Sequence, residues 1–162
     1  MRLMMAAAIV ALSAGAALAH PKEQHAGSTP AAAVSPAARP AASVVDGFHA
    51  ALARGDQKSA LDYLADEALI FESGGVERSK AEYASHHLAA DAAFSQAVPA
   101  KISRRAGQAA GNLAWVASEG RATGTYKGKA IDSVTTESMV LRRSGAGWKI
   151  VHIHWSSAAV GK

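Results

Sequence analysis

The segment Gly147-Trp148-Lys149-Ile150-Val151-His152-Ile153-His154-Trp155-Ser156 constrains this chain most. It follows a glycine turn, Ser144-Gly145-Ala146-Gly147, and is dense in β-branched and aromatic residues, which predicts an extended strand. Simple alternation assigns Trp148, Ile150, His152, His154 and Ser156 to one face, and Lys149, Val151, Ile153 and Trp155 to the other. Large apolar residues on both faces call for cover on both sides. Two histidines two positions apart then lie side by side on the Trp148 face.

The beginning of the chain reads differently. Arg2 precedes an uncharged run from Leu3 to Leu18, and Ala17-Leu18-Ala19 has the small-x-small form of a cleavage site, so residues 1–19 are expected to be a signal peptide. The run is Ala-rich and short for a membrane span, so no stable membrane anchor is expected after cleavage. With no cysteine, the chain has neither a lipid-attachment thiol nor a disulfide framework, which suits a periplasmic or secreted domain relying on its own core. Mass spectrometry of protein from its native host is expected to find an N-terminus near His20. An intact Met1 on a cytoplasmic species would contradict export.

Residues 20–42 are mostly Ala, Pro and Ser and are expected to form a flexible tether. One domain follows, over 43–158. Ser43 is expected to cap a helix carrying Val44, Val45, Phe48, Ala51 and Leu52, stopped by Arg54-Gly55. Asp56 caps a second short helix, 67–72 reads as a short strand, and Ser79 with Glu82 forms a capping box opening a third helix to about Ala92. From Gln96 onward the apolar period falls to two, predicting strands near 98–109, 112–124, 129–143 and 147–157. Helices followed by consecutive antiparallel strands indicate an α+β domain with helices on one face of a curved sheet. The 17 Lys and Arg against 13 Asp and Glu are scattered, with no basic stripe and no expected nucleic-acid partner.

This order of elements resembles the nuclear transport factor 2-like superfamily. The strand from Trp148 to Ser156, with the preceding Val140-Leu141-Arg142-Arg143 hairpin arm, is similar to the closing hairpin of SnoaL-like members and of the association domain of calcium/calmodulin-dependent kinase II. The Val44 to Leu64 pattern fits the family's opening helices. The resemblance implies a cone-shaped curved antiparallel sheet wrapped around N-terminal helices, of the cystatin-like kind, with a cavity at its open end. Members include isomerases, cyclases, dehydratases and non-catalytic binding or assembly domains.

Candidate site residues follow from chemistry. An imidazole in the cone suits acid–base work or ligand binding, which points to His154 and His152. A carboxylate in an apolar cavity suits proton abstraction beside a carbonyl, which points to Glu137 as catalytic partner, with Glu72 and Glu119 as further candidates. Tyr83, His87, Trp115, Glu119 and His152 are the expected ligand-binding residues, the aromatics because each has a polar handle. His87 and Asp91, four apart on one helix, show no recognised metal-ligand spacing, so neither metal nor cofactor is expected. The leading expectation is an exported domain binding a small apolar or amphipathic molecule. The alternatives are an isomerase- or dehydratase-type enzyme using a pocket His or Glu, and a non-catalytic dimerisation domain. Val151, Ile153 and Trp155 on the opposite face are expected to form a sheet-to-sheet homodimer with Trp155 near its centre.

Overall fold

The computed structural model describes residues 33–145 and 147–161. A 3-10 turn, Pro36–Ala38, leads into α1 (Arg39–Ala53) and α2 (Gln57–Tyr63). Next come β1 (Leu64–Glu72), β2 (Gly75–Glu77), α3 (Lys80–His86) and α4 (Leu88–Ala97). Four long strands finish the domain: β3 (Ala100–Ala110), β4 (Leu113–Tyr126), β5 (Lys129–Ser144) and β6 (Gly147–Ala159). The expected α+β class holds, and the four strands lie within a few residues of their expected bounds.

The structure departs from these expectations in the helical half of the chain. The expected signal peptide and the first part of the tether lie outside the described residues. Residues 34–42 do not form a tether: Val34 bridges to Gly107, and α1 begins at Arg39 with Ala38 and Ala41 fully buried. Alanines allow close backbone approach, and Pro40 suits the first turn of a helix. Ser43 sits inside α1, its hydroxyl donating to the Arg39 carbonyl rather than capping. The expected third helix is two helices broken at His87, whose φ of −115° departs from helical geometry. The Asp56 and Ser79 caps do form, accepting from the Ser59 and Glu82 amides.

The sheet order is β2-β1-β6-β5-β4-β3. All neighbours are antiparallel except β1 and β6, which run parallel. Ser73 and Gly74, both at positive φ, make the tight β1–β2 turn. Phe48, Val45 and Leu52 of α1 share one core with Met139, Leu141, Ile150 and Ile153 of the sheet. At the far end the sheet closes on α4: a Cβ on Gly124 would strike the Ala97 carbonyl, so glycine is needed there.

The decisive local feature is in β6. Val140 pairs with His152, but Leu141 pairs with Ile150, leaving Val151 as an extra residue. Such a bulge reverses the alternation beyond it. Trp148 and Ile150 face the helices as expected, yet after Val151 it is Ile153 and Trp155 that face inward. His152 and His154 turn to the outer face.

Candidate functional site

The bulge brings Trp155 into a row running straight across the concave side of the sheet. Register pairs Glu72 with Trp155, Trp155 with Glu137, Glu137 with Ser118, and Ser118 with Arg105. Four neighbouring strand pairs thus align five side chains along one wall of a cavity of about 440 Å³. Leu52 of α1 and Phe94 and Val98 at the end of α4 give the cavity apolar cover, with Ile102 and Ala122 from the sheet. Asp46 and His49 of α1 and Asp91 of α4 add polar groups from the helix side.

One polar cluster centres on Glu137. His49 Nε2–H donates to Glu137 Oε2 at 2.6 Å, and Trp155 Nε1–H donates to the same oxygen at 2.8 Å. The Trp155 indole is fixed from its other side by stacking on Phe48, 6.3 Å between ring centroids. Burial pushes the Glu137 carboxyl up, but the His49 hydrogen bond and charge, with help from Trp155 and Arg105, bring it below the usual carboxylate value. Arg105 is itself held by Asp46 and donates from Nε to Ser118 Oγ at 3.0 Å.

The second cluster lies where the helix break at His87 folds α3 against α4. Tyr83, buried in the core, donates its hydroxyl to Asp91 Oδ2 at 2.9 Å. Burial raises the Asp91 carboxyl more than the Tyr83 hydrogen bond and nearby His87 lower it. Glu72, at the end of β1 and the cavity rim, is also raised, by burial and then by the Asp91 charge. Burial and the adjacent Asp91 raise the Tyr83 hydroxyl far above its ordinary range, so it stays a donor. Two carboxyls that hold their protons more tightly than free ones therefore border an apolar cavity.

A smaller recess of about 240 Å³ adjoins the first and shares Glu72, Asp91 and Trp155 with it. On its wall the buried Glu77 carboxylate accepts from His86 Nδ1–H at 3.2 Å and from His87 Nδ1–H. Glu77, Glu82 and His86 bring three potential metal-ligand atoms within 4.8 Å of one another. Glu82 also accepts from the Arg78 amide at 2.6 Å.

The SnoaL-like domain profile matches residues 41–160. The chain belongs to the SnoaL-like family. A crystal structure of a candidate ketosteroid isomerase from Shewanella frigidimarina NCIMB 400 shares 41% identity with it, covering 76% of this chain and all of that one, at a TM-score of 0.72. A candidate dehydratase of the nuclear transport factor 2-like family from Streptomyces avermitilis has the same fold at 17% identity, covering 76% of this chain and 98% of that one, TM-score 0.65. So does a candidate calcium/calmodulin-dependent protein kinase II association domain from Xanthomonas campestris, at 24% identity, 83% and 96% coverage and TM-score 0.65. No curated protein matches.

Within this SnoaL-like frame, the expected site residues separate by face. Glu137 lines the large cavity and Tyr83 and His87 the adjoining recess. Four others lie outside the cavity, contrary to expectation. His154 is exposed on the convex face, edge-on to Phe71, so the bulge removes it as a cavity acid or base. His152 is half-buried on the same face, its Nδ1–H donating to the Leu69 carbonyl at 2.9 Å. Trp115 is 42% exposed there, and Glu119 faces solvent beside Arg104. Trp155 and Ile153 point inward, which removes them from any dimer contact on the outer face. His49 escaped the sequence reading because α1 offers it only as one polar residue after Phe48. Asp91 was visible as a partner of His87 but not of Tyr83.

Proposed function

We propose that the large cavity binds a small, largely apolar carbonyl compound and moves a proton on the carbon chain beside its carbonyl. The observation that carries this reading is the pair of carboxyls with raised pKa, Glu72 and Asp91, bordering an apolar cavity. Glu72 carboxylate removes a proton from the carbon next to the carbonyl, and the electron pair moves onto the carbonyl oxygen. Asp91, steadied by Tyr83, holds a proton for that oxygen as negative charge develops. Glu72 then returns its proton at the far end of a conjugated system, which completes an isomerisation without other reactants. The candidate ketosteroid isomerase at 41% identity supports this reaction class. The test is conversion of cyclohex-3-enone to its conjugated isomer, followed by ultraviolet absorbance. Catalysis above the buffer rate is expected; a rate equal to buffer alone contradicts the reading.

A self-association reading rests on the convex face. Trp115, Val140 and His152 form one cross-strand row there, and Leu113, 54% exposed and two residues before Trp115 on the same face of β4, extends the apolar surface. A contiguous apolar patch of this kind usually marks an interface, and we propose that it joins two copies sheet to sheet. Sedimentation at micromolar concentration is expected to show a dimer that Trp115→Glu converts to monomer. An unchanged mutant dimer would place the interface elsewhere.

A further inference from the structure

His86 and His87 are neighbours in sequence, yet both turn an imidazole onto one carboxylate. Successive residues of a regular helix point about 100° apart, and the break at His87 removes that constraint. Glu77, the last residue of β2, accepts from His86 at Oε2 and from His87 at Oε1. Its side chain is only 7% exposed. No Lys or Arg among the described residues forms an ion pair with Glu77 or with nearby Glu82. The partners of Glu77 are two imidazoles, which carry a charge only when protonated. The recess behind it is lined by two more carboxyls, Glu72 and Asp91, and by no Lys or Arg among the described residues. A buried carboxylate in such surroundings favours a cation beside it.

The spacing of the cluster suits a metal ion better than a hydrogen bond. His86 Nδ1 and Glu77 Oε2 stand 3.2 Å apart, long for an imidazole bonded to a carboxylate. Two atoms at that separation, each bound at about 2.05 Å to one ion, subtend about 100° at it, close to the tetrahedral angle. Glu82 supplies a third ligand atom. The Ser79 cap fixes the first turn of α3, and Glu82 and His86, four residues apart, share one face of that helix. The three ligand atoms lie within 4.8 Å of one another. The His86 side chain is 58% exposed, which leaves an ion a way in from solvent. Glu77 Oε1 keeps His87, the hydrogen-bonded support that a ligating carboxylate usually has.

We propose that Glu77, Glu82 and His86 bind a divalent metal ion of the zinc class, with water as the fourth ligand. One imidazole beside two carboxylates matches such an ion, whereas magnesium and calcium take oxygen ligands alone. His86 binds through Nδ1, its single ring proton then sitting on Nε2. The ion ties the end of β2 to both ends of α3 and neutralises the buried Glu77 carboxylate. This is a structural role, independent of the carbonyl chemistry proposed for the cavity.

The test is isothermal titration calorimetry of zinc chloride into the full chain, freed of metal with EDTA and dialysed. The parent protein carries His20→Ala and His25→Ala, so that the histidines near the N-terminus contribute nothing. Saturable binding of one zinc ion per chain is expected, with a rise in melting temperature. Adding His86→Ala is expected to weaken zinc binding at least about tenfold and to abolish the melting shift. Adding His154→Ala instead, on the convex face, is expected to leave the affinity within about twofold. Cobalt(II) is expected to give the visible absorption of tetrahedral nitrogen and oxygen ligation, and His86→Ala to remove it. His86 is exposed, so its variant is expected to keep its fold, which far-UV circular dichroism checks. No saturable zinc binding by the parent overturns the proposal, with the two histidines serving Glu77 alone. Binding that His86→Ala leaves unchanged, or that His154→Ala removes, places the ion elsewhere and overturns it too.

Discussion

Ile153→Asp is expected to leave the domain unfolded, while His154→Asp is expected to shift stability by no more than about 1 kcal/mol. Ile153 is completely buried and lies in the core row joining Val116, Met139 and Ile70. Removing a buried Ile side chain costs about 2–5 kcal/mol, and an unpaired carboxylate in its place adds several more. The sum rivals the whole stability of a domain of this size, about 5–15 kcal/mol. His154, one residue on, is exposed on the outer face and makes only an edge contact with Phe71. Urea denaturation followed by circular dichroism separates the two. Simple alternation through β6 assigns the opposite outcome, so this pair tests the Val151 bulge itself.

Glu72→Gln is expected to lower kcat/KM for ketone isomerisation by about 10²–10⁴-fold, the usual loss of a positioned general base. Tyr83→Phe is expected to cost less, since it removes only the bond that orients Asp91. The proposed base works as carboxylate and Asp91 as the protonated partner, so the wild-type rate is expected to rise with pH as Glu72 ionises and to fall again as Asp91 loses its proton. Stability responds in the opposite sense to the rising limb. Glu72 and Asp91 bind protons more tightly folded than unfolded, so their contribution is complete below the ordinary carboxylate range and is lost as pH climbs through their raised values. Glu137, held below its ordinary value, contributes above that value and loses its contribution as pH falls through its lowered one. Glu72 and Asp91 are therefore least favourable to folding in the pH range where the proposed base is ionised. A pH–rate profile that does not rise from the carboxylate range upward would remove Glu72 as the base.

Much of the architecture was legible because it rests on periodicity. The turn at Ser144-Gly145, the caps at Asp56 and Ser79, and the change of period after Gln96 each report a local physical preference. The site was legible only in part, because its side chains meet through features with little local signal. A bulge of one residue in a strand rich in β-branched and aromatic residues leaves no compositional mark, yet Val151 moves both histidines out of the cavity and Trp155 into it. The break at His87 that joins Tyr83 to Asp91 carries neither Gly nor Pro. Glu72 and Glu137 were visible as carboxylates on strands, but their alignment through Trp155 depends on pairing β1 in parallel with β6, a long-range register. The alanines of 34–42 read as a tether for the same reason that they pack so closely: they have almost no side chain.

We propose that the concave cavity, not the histidine-bearing face, receives the carbonyl compound. A crystal structure of the protein soaked with 4-phenylcyclohexanone tests it most directly. The ketone oxygen is expected within hydrogen-bonding distance of Asp91, with its adjacent carbon facing Glu72 and the ring lying against Trp155. Density for the compound beside His152 and His154, or a cavity holding only water at saturating ketone, would contradict it.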